Sequence, residues 1–238
     1  MPVISVHDDP NKRTLSPITT TSSVVAIKYS GGVLIAADTM VSYGKWKRFK
    51  DVDRFCEVNN NTVVCMSGEH SDFQEVSCML KALETKDFLR SDGYKTQPQE
   101  IAHYLNRVYY NRRTKVNPLW NSVVVAGFGK EPYLGYTDMY GTFFEEDQLA
   151  TGFAAYFAMP HLRREWRPDF TEAEARHLAL ECLKIVFARE CSASNKIRVA
   201  NVTAGGIDVS DEIEVHPEWG HSHWSEKTIE LDLAASTW

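Results

Sequence analysis

The stretch GGVLIAADTMVSYG, Gly31 to Gly44, decides how the rest of this chain is read. Its apolar run, Val33 to Ala37, has strand length, ends on Asp38 and is followed by a turn closing on Gly44. Upstream, VVAIKY (Val24 to Tyr29) is a second strand that turns at Ser30-Gly31-Gly32. Before it lies the hydroxyl run Thr19-Thr20-Thr21-Ser22-Ser23. Downstream, VDRFCEV (Val52 to Val58) reads as a third strand and TVVCMSG (Thr62 to Gly68) as a fourth. Between these two, Asn59-Asn60-Asn61 supplies turn chemistry, since Asn tolerates left-handed backbone angles. The pattern predicts a four-strand antiparallel opening.

Helices follow. Phe73, Val76, Leu80 and Leu83 recur at helical spacing between about Glu69 and Arg90. Thr96-Gln97-Pro98-Gln99 reads as a capping box for a helix with Ile101, Leu105, Val108 and Tyr109 on one face. Strand patterning returns at Ser122–Phe128, Tyr133–Asp138 and Gly141–Glu145, then a short helix at Gly152–His161. Thr171-Glu172-Ala173-Glu174 is a second capping box, opening a helix whose Leu178, Cys182, Leu183 and Val186 face inward. Lys196–Thr203 and Gly206–Val209 close the series as strands. Strands, two helices, strands, two helices, strands is an α+β layered order, because helix pairs cover sheet faces.

At 238 residues and 43% hydrophobic the chain fits one large domain with a substantial core. A net charge of −6 argues against general nucleic-acid binding, so Lys45-Trp46-Lys47-Arg48 and Arg112-Arg113 read as local surface or interface charge. Five cysteines without a CxxC pair fit a reducing compartment, and no apolar run reaches membrane-spanning length. Cytoplasm and nucleus are the expected location. Residues 1–20 read as a flexible leader, 21–211 as the domain and 212–238 as an arm.

Together with GGVLIAAD, the segments SYGKWKRFKDVDRF, VNNNTVVCMSGEHSDFQ, RRTKVNPLWNSVVVAGF, LGYTDMYGTFFE and LATGFAAYFAMPHLRREW closely resemble proteasome β subunits, a branch of the N-terminal-nucleophile hydrolases. NPLWN (Asn117 to Asn121) is most similar to the type-4 branch, at the seventh β position of the eukaryotic ring. The resemblance runs from about Thr20 to about Asp211. It implies a four-layer αββα sandwich, assembly with other α and β subunits in stacked seven-membered rings, and a non-catalytic subunit of a protein-degrading particle.

The same resemblance allows the site to be checked by position. Active members use an N-terminal Thr, an Asp sixteen residues on and a Lys sixteen beyond. Counting from Asp38 in this chain reaches Ser22 and Arg54. A guanidinium does not exchange protons as an amine does, so Arg54 disables the chemistry, and an Asp38–Arg54 ion pair is expected. Thr21, β-branched where active members place Gly, disfavours self-cleavage before Ser22. Thr151, Glu190 and Ala193 fall at the supporting positions, with Ser192 or Ser194 replacing Ala193 if the alignment slips by one. Gly68 matches an oxyanion glycine, and a turn glycine at a strand-to-helix junction is the favoured reading. No catalytic residue, cofactor or metal is expected.

His216, His221 and His223 lack a closed ligand set, and His70 with Asp72 reads as a polar pair at a helix start. His177 reads as part of a polar helix face. Trp219, Trp224 and Trp238 on the arm suggest anchors on a neighbouring β subunit, as the family resemblance also implies. Two other readings stay open: a peptidase using Ser22 after self-cleavage, and a free-standing binding module.

Overall fold

The computed structural model describes residues 16–217. The first eleven elements are nine strands, divided between two sheets, and two helices. They are β1 (Thr19–Thr21), β2 (Val24–Tyr29), β3 (Gly32–Asp38), β4 (Val41–Tyr43), β5 (Trp46–Phe49), β6 (Phe55–Asn59), β7 (Thr62–Glu69), α1 (His70–Arg90), α2 (Pro98–Thr114), β8 (Asn121–Phe128) and β9 (Pro132–Asp138). There follow β10 (Phe143–Glu145), β11 (Gln148–Ala150), α3 (Ala154–Phe157), α4 (Met159–Glu165), α5 (Glu172–Arg189), β12 (Lys196–Thr203), β13 (Gly206–Val209) and β14 (Ile213–Glu214).

One sheet runs β10-β9-β8-β7-β1-β4-β5 with β6 also on β7; the other runs β11-β2-β3-β12-β13 with β14 also on β12. Their strand pairs are antiparallel. Period-two alternation then divides the apolar side chains among three cores. Val24, Ala26, Val33, Ile35, Val63, Cys65, Val124 and Val202 pack between the sheets. Val25, Ile27, Leu34 and Ala36 face α3, α4 and α5. Val64, Met66, Val123 and Val125 face α1 and α2. Three cores between four layers make the αββα sandwich, and each fully covered Val, Leu or Ile contributes about 1.5–3 kcal/mol.

Several expectations are corrected. The four opening strands exist, but they do not form one sheet: β2 and β3 lie in one, β6 and β7 in the other. The leader boundary at residue 20 falls inside β1, which pairs with both β4 and β7. Likewise β14, inside the segment read as an arm, pairs with β12. The first capping box sits one residue later than expected, with Gln97 as the cap and its N–H donating to Glu100 at 2.8 Å. Thr96 instead donates its hydroxyl to Asp87 on α1. The helix expected over 152–161 is two, α3 and α4, because Pro160 has no N–H to continue the first. The second capping box forms as read, Thr171 N–H donating to Glu174 at 2.9 Å.

Three cysteines, Cys56, Cys65 and Cys182, are buried and Cys78 and Cys191 are exposed; all five are free thiols. Among the described residues no helix is long and apolar enough to cross a membrane. No group of three or more His, Cys, Asp or Glu among them is placed to hold a metal ion.

Candidate functional site

Ser22 and Ser23 are the link by which the chain leaves β1 in one sheet and enters β2 in the other. Both are buried, and so are Asp38 at the end of β3, Arg54 before β6, Thr151 after β11 and Glu190 after α5. The fold thus brings five of the six expected positions, with Ser23, to one end of the space between the sheets.

Arg54 is 2% exposed. Its Nη1 donates to Asp38 Oδ1 at 2.5 Å and to the Ser23 carbonyl at 3.1 Å. Its Nη2 donates to the carbonyls of Ser22 at 2.6 Å and Met66 at 2.9 Å. One guanidinium therefore ties the crossover to the end of β3 and to β7 in the opposite sheet. Only a planar multi-donor cation does this; a lysine ammonium offers three donors from a single point. The other carboxylate oxygen of Asp38 accepts the Ser194 N–H at 2.9 Å. Burial pushes the Asp38 carboxyl up to about 6, against the opposing pull of Arg54 and the Ser194 amide.

The hydroxyls form a second cluster. Ser22 Oγ donates to Glu190 Oε2 at 3.0 Å, Ser23 Oγ lies 3.5 Å from the same oxygen, and Ser192 Oγ donates to Oε1. Ser23 Oγ also accepts the Ala154 N–H at 2.9 Å, anchoring α3. Thr151 Oγ1 accepts the Val24 N–H at 3.1 Å, a contact that fixes the start of β2. Ala193 does not reach this cluster; its side chain packs in the core beneath α5. The backbone N–H of Ser194 meets Asp38, while the Ser194 hydroxyl accepts the Lys196 N–H at 3.2 Å.

Gly68 is not a turn residue but the penultimate residue of β7, paired with Thr21 and Asn121. Its φ of +110° and a position where a Cβ would lie 2.1 Å from the Trp120 carbonyl both require glycine. The Thr21 hydroxyl donates to its carbonyl at 3.1 Å. Asp72 accepts the Trp120 N–H at 2.7 Å, so its partner is Trp120 rather than His70. His177 is exposed beside Glu181, and His216 lies 4.0 Å from Glu214. His221, His223, Trp219, Trp224 and Trp238 lie outside the described residues.

Sequence reasoning missed Ser23 and the Met66 carbonyl: Ser23 stands at no family position, and a backbone carbonyl leaves no mark in residue type.

A family model described as "Proteasome subunit" matches residues 18–202. The chain belongs to the proteasome subunit family. It is 39% identical to "Proteasome subunit beta type-4" of Arabidopsis thaliana over 99% of this chain and 95% of that one. It is 38% identical to "Proteasome subunit beta type-4" of Xenopus laevis over 90% of each. It is 41% identical to "Probable proteasome subunit beta type-7" of Schizosaccharomyces pombe over 89% of this chain and 84% of that one. In this family member the buried end of the sandwich holds Arg54, tied to Asp38 and to the carbonyls of Ser22, Ser23 and Met66.

Proposed function

We propose that this chain is a non-catalytic, architectural β subunit of the proteasome core particle, filling a ring position while other subunits cleave protein. The observation that carries the reading is the engagement of Arg54. Its terminal nitrogens are occupied by Asp38 and by three backbone carbonyls, so the position that must exchange a proton with the nucleophile is a structural tie. Thr19–Thr21 add to it, forming a strand between β4 and β7. A free amine at Ser22, the base this mechanism needs, requires that strand to be cut away. An extended peptide arriving from outside finds its backbone partners already taken.

In this reading the particle stacks α and β subunits in seven-membered rings and works in cytoplasm and nucleus. The segment with Trp219, Trp224 and Trp238 anchors on a neighbouring β subunit. The test is the intact mass of the chain from its native assembly, before and after an epoxyketone inhibitor. A chain that keeps residues upstream of Ser22 and gains no mass is expected. A chain beginning at Ser22 that takes up the inhibitor would establish the alternative, an active peptidase using Ser22.

A further inference from the structure

Glu69 stands at the N-cap of α1 and makes no side-chain hydrogen bond to that helix's own amides. Its buried carboxylate turns to the leader instead. Oε2 accepts the Ile18 N–H at 2.6 Å and the Thr19 N–H at 3.0 Å, and Oε1 lies 3.2 Å from the Thr19 nitrogen. Ser71 donates its hydroxyl to Oε1 at 3.1 Å. The backbone of Glu69 is itself fixed: its N–H donates to the Trp120 carbonyl at 2.9 Å, and its carbonyl accepts from the Asn121 side chain at 2.8 Å. Charge-assisted bonds from a rigid site are the stronger kind, and the positive end of α1 favours the negative charge there.

A second observation gives this contact its consequence. In the sheet order β7-β1-β4-β5, β1 alone among the described strands joins the β4–β5 hairpin to the rest of its sheet. Gly44, at the tip of that hairpin, donates its N–H to the Ile18 carbonyl at 2.8 Å. The residues Glu69 grips are therefore the same residues that hold the hairpin.

We infer that Glu69 is a positioning residue that locks residues 18–21 into the sheet, so that the end of the leader is a permanent strand and the β4–β5 hairpin depends on it. The inference rests on the non-catalytic reading only in requiring the leader to stay attached. Trimming of the leader then stops upstream of Ile18, because a protease needs extended, unpaired backbone.

Amide hydrogen exchange on the full-length chain in its native assembly tests this, comparing wild type, Glu69→Ala and Glu69→Gln. In Glu69→Ala the amides of Ile18, Thr19 and Gly44 are expected to exchange about tenfold faster or more, with the core amides of Val64 and Val125 unchanged. Glu69→Gln, which keeps an acceptor oxygen without the charge, is expected to show a smaller shift at the same three amides. Unchanged exchange at Ile18, Thr19 and Gly44 in Glu69→Ala would overturn the lock, as would acceleration spread equally to Val64 and Val125. A wild-type chain that begins at Ser22 would overturn both this inference and the non-catalytic reading; a retained leader with unchanged exchange would overturn the lock alone.

Discussion

Two hairpins follow the leader, and they are built under opposite conditions. In β2–β3 all seven residues of β3 are buried, with helices over one face and the second sheet over the other. In β4–β5 all four residues of β5 are exposed, Trp46 at 72%. The first is held by apolar contacts on both faces. The second is held by the backbone of β1 and by Lys47, whose ammonium donates to the Ala193 carbonyl at 2.7 Å and lies 5.8 Å from the centre of the Phe187 ring. Neighbouring stretches of one chain thus depend on different mixtures of forces: the first on burial of both its strands, the second on burial of Val41 and Ser42 in β4 together with hydrogen bonds lent by β1.

The largest break in this comparison is at the polar end of the buried hairpin. Arg54→Met leaves Asp38 without its cation and frees the Ser22, Ser23 and Met66 carbonyls. Unfolding in denaturant should show a loss of about 3–5 kcal/mol. Ile35→Ala, at the middle of β3 and 0% exposed, should cost about 3 kcal/mol in the same measurement, from lost burial and a cavity between the sheets.

Asp38 sharpens the contrast through pH. Its carboxyl is raised from 3.8 to about 6 in the fold, so the folded chain binds this proton more tightly than the unfolded one. The resulting stabilisation is complete below about pH 4 and is lost as pH rises through about 6, with a slope of at most about 1.4 kcal/mol per pH unit. Unfolding of wild type and Asp38→Asn across this window should show that slope in the first and not in the second. The smallest effect is expected at the exposed hairpin: Trp46→Ala should change stability by no more than about 0.5 kcal/mol. A loss comparable to that of Ile35→Ala would mean that β5 is buried against something in the measured state.

Legibility followed the same division. Strands with dense apolar character, β2, β3, β7, β8 and β12, were readable, as was α5 from its Thr171–Glu174 box. Their sheet membership was not. Residues covered on both faces show no polar alternation, so VVAIKY and TVVCMSG look alike although they lie in different sheets. WKRF was missed as a strand because it is exposed throughout, and TTT because it contributes backbone partners and no apolar face. At the site, residue type announced an Arg54–Asp38 pair. It did not announce that the same guanidinium also holds the carbonyls of Ser22, Ser23 and Met66, or that a backbone N–H, that of Ser194, meets Asp38.

The sequence by itself determined the layered α+β class, the family, and the pairing of a guanidinium, Arg54, with the carboxylate of Asp38. Those are properties of residue type and spacing, which survive without coordinates. Only the tertiary structure decided that Thr19–Thr21 form a strand, that Ser22–Ser23 carries the chain between sheets, and that Arg54 and Glu69 fasten that passage on either side. Each of these is a hydrogen bond between backbone and a group distant in sequence, and backbone groups are the same at every position until the fold says which of them meet.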